Sequence, residues 1–223
     1  MIVHQIVSSP HKIDRDDFKH ANNLTIASYD KDAQQYLENT PTTLESFDLG
    51  MKQWIDQTLT LTEQGACILE VGSGLQRDSS YMKNKGFKVL CSDASSELLS
   101  RLRAEGSEAI YFNVLEDHLD TKFDLIFANA VVPHFTMYDL AIALRNIRYH
   151  LQGGGIFSFS AKKGLGETWI TEKGVSPRYT KYWSEDDLPR LLIASGYKIL
   201  FKNSNPGHLP GHFWINIIAQ KVG

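Results

Sequence analysis

The chain has 223 residues, 42% of them hydrophobic and 22% charged, with a formal net charge of −3 and a pI near 6.2. This is enough apolar material for one substantial core, and it lacks the basic surplus that a duplex-binding surface normally carries. The two cysteines, Cys67 and Cys91, each sit in an apolar run with no second ligand nearby, so they read as buried and reduced rather than as a disulfide or a thiolate metal site.

The first 25 or so residues, rich in His, Asp and Lys, read as a loose arm or lid. "MIVHQIVSSPHKIDRDDF" lacks the basic start and long apolar core of a signal peptide. No run approaches the roughly 18 apolar residues that cross a bilayer, so a soluble cytoplasmic protein with no membrane contact is expected. "TPTTLESFDLGMKQWIDQTL" predicts a helix, with Thr42 and Glu45 as a capping box and Leu44, Phe47, Met51, Trp54, Ile55 and Thr58 on one face.

Strands and helices then alternate. "ACILEV" is an apolar strand and Gln76 to Lys85 a helix; "FKVLCSD" is the second strand, followed by "SELLSRLRAEG", a helix with Leu98, Leu99 and Leu102 inward and Gly106 past its end. "EAIYFNV" and "FDLIFANA" are strands three and four. "MYDLAIALRNIRYHL" places Leu140, Leu144, Ile147 and Leu151 in one stripe, and "GGGIFSFSA" is strand five. "SEDDLPRLLIASG" opens on a Ser184–Asp187 capping pair and stops at Gly196, before the two last strands, "YKILFKN" and "HFWINIIAQ". Short apolar strands separated by amphipathic helices require right-handed crossovers and a mostly parallel sheet covered on both faces. The helix-free final pair predicts an antiparallel hairpin at one edge. The fold class is therefore α/β, a doubly wound seven-stranded sheet with one antiparallel strand, binding its ligand at the carboxyl ends of the strands.

"ILEVGSGLQRDSSYM" ends an apolar strand in two glycines. A dinucleotide fingerprint, G-x-G-x-x-G, needs a third glycine where Arg77 stands, and no phosphate loop of the G-x-x-x-x-G-K-[ST] type occurs. Asp93 ends strand two, nineteen positions after Gly74, where an acid can accept both hydroxyls of a ribose. In "YFNV", Asn113 can meet an adenine edge while Phe112 and Val114 flank the ring. A ribose and an adenine without a diphosphate describe adenosine bearing something else. The plainer roles are a cap for the following helix (Asp93), a turn residue (Asn113) and a solvated cation (Arg77).

These segments resemble the class I S-adenosylmethionine-dependent methyltransferases from about Tyr29 to the end. "LEVGSG", "CSDAS", "FNV", "FDLIFANAVVPHF" and "LQGGGIFSFS" are similar to the five family motifs, although the third more often carries Asp where Asn113 stands. "YDKDAQQY" is similar to the family's cofactor-covering helix. "GLQRDSSYMKNKGF", "SAKKGLGETW" and "RYTKYWSEDDL" look like a bacterial small-molecule subgroup. The resemblance implies a Rossmann-like core at residues 61–223 with an acceptor-loop insertion at 161–183, an arm and covering helices at 1–60, and S-adenosyl-L-methionine as cofactor with S-adenosyl-L-homocysteine as product. It also implies cofactor contacts from Tyr29, Tyr36, Gly72, Ser73, Gly74, Asp93, Ala94, Asn113, Val114, Ala128 and Asn129. Glu70 would orient the loop and the cofactor's amino group, Arg77 would pair with its carboxylate, and Asp78 would cap the helix.

His134, after Pro133 at the end of strand four, could take a proton from an acceptor or simply pack. The fourth motif reads "NAVV", not the Asn-Pro-Pro-aromatic form associated with bases or glutamine amides, which with the acidic balance points away from nucleic acid and toward a small-molecule acceptor methylated at O or N. The insertion "KKGLGETWITEKGVSPRYTKYW" reads as a mobile surface loop. Lys163, Glu167, Trp169, Arg178, Tyr179 and Tyr182 are its candidates for the acceptor pocket, and Arg178 with the lysines suggests a polar or anionic acceptor. No metal site is expected from the scattered histidines. A cofactor-binding sensor or partner subunit without catalysis would carry the same cofactor motifs. Oligomeric state is not readable.

Overall fold

The computed structural model describes residues 20–44, 49–171, 175–207 and 211–223. Glu45 and Phe47 of the expected capping box and helix face, and residues 1–19 of the expected arm, lie outside them. Three helices come first: α1 (Ala21–Lys31), α2 (Ala33–Asn39) and α3 (Leu49–Thr60). The arm thus gives way to helix at Ala21 rather than after residue 25. The alternating part follows as β1 (Cys67–Val71), α4 (Arg77–Asn84), β2 (Lys88–Asp93), α5 (Ser96–Ala104), β3 (Ala109–Tyr111), β4 (Phe123–Ala128), α6 (Met137–His150) and β5 (Leu151–Lys162). The chain closes with β6 (Glu167–Ile170), β7 (Arg178–Lys181), α7 (Asp187–Ala194), β8 (Tyr197–Pro206) and β9 (Phe213–Lys221).

Seven strands form one sheet in the order β3-β2-β1-β4-β5-β9-β8. All neighbours are parallel except β9, which runs antiparallel to both β5 and β8. The expected doubly wound sheet with one reversed strand near an edge is what forms. The strand order reverses between β1 and β4, which opens a crevice at their carboxyl ends.

Alternation along the strands divides the core. Leu69, Val71, Ile126, Phe157, Phe159, Ile215 and Ile217 pack with α6 and α7 through Leu140, Leu144, Ile147, Leu188 and Leu192. The intervening positions, Ile68, Val89, Leu125, Phe127, Ile156 and Ile218, pack with Trp54 and Ile55 of α3 and Met82 of α4. Trp54 stacks on Phe127 at 4.8 Å, and each side chain of this size contributes about 1.5–3 kcal/mol on burial. Of the α3 face read from sequence, Leu44, Trp54, Ile55 and Thr58 are buried, with Thr58 Oγ1 2.8 Å from Ser158 Oγ.

Two local readings change. Cys91 is buried, but Cys67 is exposed, because it starts β1 at the rim where the strand has not yet entered the core. Leu151 begins β5 opposite Phe123 instead of ending the α6 stripe. The insertion differs most: it holds a hairpin, with β6 and β7 paired antiparallel from Glu167–Lys181 to Ile170–Arg178. Trp169, Ile170, Tyr179 and Thr180 favour extended backbone, and Tyr179 is wholly buried. That packing anchors what composition alone suggested was a loose loop.

Candidate active site

The crevice is built first by the turn after β1. Gly72 and Gly74 both have left-handed backbone, with φ of +71° and +51°. A Cβ on Gly72 would stand 2.6 Å from Val131 Cγ2, and one on Gly74 3.3 Å from Tyr36 Oη, so only glycine leaves this wall open. Ser73 is tied to β2, its N–H donating to the Ser92 carbonyl (2.8 Å) and its Oγ accepting from the Ser92 N–H (3.1 Å). Asp93 then clamps the turn: Oδ2 accepts from the Gly74 N–H (3.0 Å) and Oδ1 from the Ser95 N–H (2.9 Å). Burial pushes this carboxyl up to about 6, against the lowering effect of the amides of Ser95, Gly74 and Ala94. It is ionised at neutral pH, and each oxygen keeps acceptor capacity for a further donor.

Beyond Asp93 the wall is made by Leu98, Phe112, Asn113 and Val114. The Asn113 side chain is already engaged, its Oδ1 accepting from the Leu115 N–H (3.1 Å) and its Nδ2 donating to Asn22 Oδ1 of α1 (3.1 Å). It closes the turn and joins α1 to the core, which is the plainer of its two expected roles. On the open side, Asn22, Thr25, Ile26 and Tyr29 of α1 and Tyr36 of α2 cover a pocket of about 740 Å³, mouth included.

Glu70, Ser73, Arg77 and Ala128 do not line this pocket, whereas Tyr29, Tyr36, Gly72, Gly74, Asp93, Ala94, Asn113, Val114 and Asn129 do. Arg77 is turned onto its neighbour, with Nε donating to Asp78 Oδ1 at 2.7 Å and Nη2 reaching Met51 Sδ at 3.2 Å. Asp78 Oδ2 also accepts from Asn129 Nδ2 at 2.7 Å, while Ser160 Oγ donates to Asn129 Oδ1 at 2.7 Å. Asp78 is therefore a crosslink between α4 and the end of β4, and its side chain makes no cap bond; Gln76 is the N-cap residue. Glu70 is buried behind this network, its Oε2 has no partner among the described residues, and burial followed by the charge of Asp78 raises its pKa. Ala128 lies in the core under the strand end.

A second pocket adjoins the first and shares Tyr29, Tyr36, Ala130 and His134 with it. Ala130 has φ +60°, a strained conformation for a residue with a side chain, and its N–H donates to Ser160 Oγ at 2.7 Å. That turn delivers the 3₁₀ segment Val132–His134. His134 Nδ1 lies 2.7 Å from the Tyr179 carbonyl, which can only accept, so Nδ1 carries the proton and Nε2 accepts from Tyr29 Oη at 3.0 Å. Burial, with nearby Lys162 and Arg178, pushes the imidazole down to about 4. His134 is thus a neutral ring fastened at both nitrogens, joining the covering helix to the hairpin.

Of the six acceptor candidates in the insertion, only Arg178 lines this second pocket. Lys163 pairs with Glu185 at 3.1 Å, and Glu167 is held by Lys181 Nζ (3.1 Å) and Tyr179 Oη (2.7 Å). Trp169 packs edge-on against Tyr179 at 5.8 Å, and the Tyr182 side chain packs over Gly164. Glu167, Trp169 and Tyr179 tie β6 to β7, and Lys163 and Tyr182 pack at the base of the hairpin. The wall residues that sequence reasoning missed, Lys162, Ile170, Thr180 and Trp214, come from β5, β6, β7 and β9, and only the pairing of distant strands brings them together.

Comparison with known proteins fits this geometry. Residues 69–159 match the family model described as a methyltransferase domain. A curated relative from Hamiltonella defensa, a malonyl-[acyl-carrier protein] O-methyltransferase, is 25% identical over 132 residues, 56% of this chain and 50% of the relative. The match therefore spans about half of that relative's length. Among solved structures, a Burkholderia thailandensis 1,6-didemethyltoxoflavin-N1-methyltransferase with bound 1,6-didemethyltoxoflavin and S-adenosylhomocysteine superposes with TM-score 0.69 at 18% identity, covering 97% of this chain and 94% of its own. An S-adenosylmethionine-dependent methyltransferase from Clostridium acetobutylicum gives TM-score 0.62 at 16% identity over 87% and 99%. Both share the fold. Family match and fold together bear out the resemblance to the class I methyltransferases.

Proposed function

We propose that this chain is a class I methyltransferase that holds S-adenosyl-L-methionine behind the Gly72–Gly74 turn and transfers its methyl group to an O or N atom of a small-molecule acceptor in the adjoining pocket, releasing S-adenosyl-L-homocysteine. The observation that carries the reading is the pair of pockets meeting at Ala130 and His134. One is suited to a nucleoside and the other opens beside it, as a transfer between two bound molecules requires.

The residues fit the cofactor. The glycine cradle would be filled by any Cβ, and Asp93 retains acceptor capacity for ribose hydroxyls. Phe112 and Val114 offer apolar surface to an adenine, with Asn113 and Asn22 at its edge. Arg77 and Glu70 stand behind the loop and act on it through Asp78 and Ser73. When bound, the cofactor supplies a methyl group already activated on a positively charged sulfur. The protein's task is alignment, worth roughly 7–11 kcal/mol in favourable cases. Ala130, held by Ser160, and His134, held by Tyr29 and Tyr179, fix the wall between the two reactants. The relatives support a small or carrier-bound acceptor without deciding between O and N. The two free cysteines and the subgroup resemblance favour an enzyme of the bacterial cytoplasm.

Calorimetry tests the cofactor. S-adenosylhomocysteine should bind at least 100-fold tighter than NAD, and Asp93→Ala should weaken it at least tenfold. Equal affinity for NAD, or undiminished binding by the variant, would overturn the assignment. A labelled methyl donor incubated with a metabolite extract should then yield a labelled product.

A further inference from the structure

The second pocket has a charge pattern that methyl transfer alone does not call for. Among the described residues that line it are two cations, Lys162 and Arg178, and no carboxylate. The Arg178 guanidinium lies against two aromatic rings, with Cζ 4.0 Å from the Tyr29 ring centroid and 5.5 Å from that of Tyr36. A cation–ring contact does not use up the N–H groups of a guanidinium, which still require hydrogen-bond partners. Nε and Nη2 are both shut off from solvent, and neither has a hydrogen-bond partner among the described residues. These two nitrogens share one edge of the guanidinium and direct parallel N–H bonds outward, the fork that grips the two oxygens of a carboxylate. Donors of a charged group that are shut off from solvent without partners are costly unless something pairs with them.

We propose that the acceptor carries a carboxylate, which seats on the Nε–Nη2 edge of Arg178 and anchors the molecule while a separate O or N atom reaches the wall at Ala130 and His134. The proposal rests on the methyl-transfer reading for its reaction but concerns a site that can be examined without catalysis. A single planar fork matches two coplanar oxygens, whereas a phosphate dianion would ask for further donors in three dimensions. The fork fixes both carboxylate oxygens as the anchor, so the methylated O or N atom is a separate one on the same molecule. The acceptor's charge also complements the sulfonium across the shared wall. Because both donors are closed off, the anion reaches them as the Tyr29 and Tyr36 cover shifts, so acceptor entry and cover movement are one event.

The test follows the Arg178 side-chain N–H resonance, identified by its loss in Arg178→Met, in protein saturated with S-adenosylhomocysteine. Benzoate and acetate should shift it saturably, while chloride and inorganic phosphate at equal ionic strength should not. In the labelled-extract assay, the acceptor should be retained on anion exchange and resist phosphatase. Arg178→Met should lower its methylation at least 100-fold and Arg178→Lys about tenfold, with S-adenosylhomocysteine affinity unchanged within twofold. A silent Arg178 resonance, a shift with phosphate alone, an acceptor in the neutral or cationic fraction, or a methyl ester on the retained carboxyl would each overturn the proposal. Failure of S-adenosylhomocysteine to bind at all would instead sink the cofactor reading and leave the carboxylate shift to be read on the free protein.

Discussion

Burial acts on Asp93 and His134 in opposite directions because it penalises whichever form is charged: the carboxyl rises to about 6 and the imidazolium falls to about 4. If Asp93 accepts from the ligand's hydroxyls, only its ionised form makes both bonds. Affinity for S-adenosylhomocysteine should then be level above pH 7 and fall as pH drops through 6, approaching tenfold per unit below it. The ligand holds Asp93 ionised, so its pKa falls on binding, and at lower pH binding must release a proton. Calorimetry between pH 5 and 8 should show this limb in the wild type and in His134→Ala, and a flat, weaker profile in Asp93→Asn. His134 is neutral over the whole range and adds no limb. Its Nε2 lone pair is already taken by Tyr29, so it acts by holding position. His134→Ala should lower kcat less than tenfold, about 1.4 kcal/mol or less; a loss above 100-fold with unchanged cofactor affinity would make it the base.

At the level of elements, the amphipathic helices and apolar strands of the sheet were legible because their buried positions are Leu, Ile, Val and Phe at the expected periods. The covering helix was not, except through resemblance. Its buried face is Ala21, Thr25 and Ser28, small and polar residues with no apolar stripe. It is held by hydrogen bonds instead: Ser28 Oγ donates to the Pro177 carbonyl (2.6 Å), and the Tyr179 N–H donates to Thr25 Oγ1 (3.1 Å). The hairpin was missed for a related reason, since its strands are four residues each and separated by residues 171–177 without a tight-turn signature. Asp30 is the least expected of these ties. Its Oδ1 accepts from Ser95 Oγ (2.7 Å) and from the Glu97 N–H (3.1 Å), so the end of α1 caps the start of α5. Loss of a cap of this kind costs about 0.5–2 kcal/mol. Asp30→Ala should lower the melting temperature and, more tellingly, admit protease within α1 at concentrations that spare the wild type. Equal cleavage in both proteins would show that the tie carries no weight.

Considered whole, the molecule joins a sheet with two apolar faces to a cover fastened by polar contacts, and the two should differ in how they open. Amides of β1, β4 and β5 lie between the two main core clusters and can exchange only when the sheet comes apart. α1 is held to α5, β7, the Val132–His134 segment and the turn at Asn113 by the Asp30, Thr25, Ser28, Tyr29 and Asn22 bonds, each worth about 0.5–1.5 kcal/mol net. It can therefore lift without unfolding the rest. Hydrogen exchange on the free protein should show Ala21–Lys31 exchanging far faster than Ile68–Glu70 and Leu125–Phe127. Saturating S-adenosylhomocysteine, which the cover would touch through Tyr29, should slow exchange in α1 and β7 by at least tenfold, bringing the two classes together. If α1 in the free protein were already as protected as β1, the cover would be part of the core, and ligand entry would need another route than its lifting.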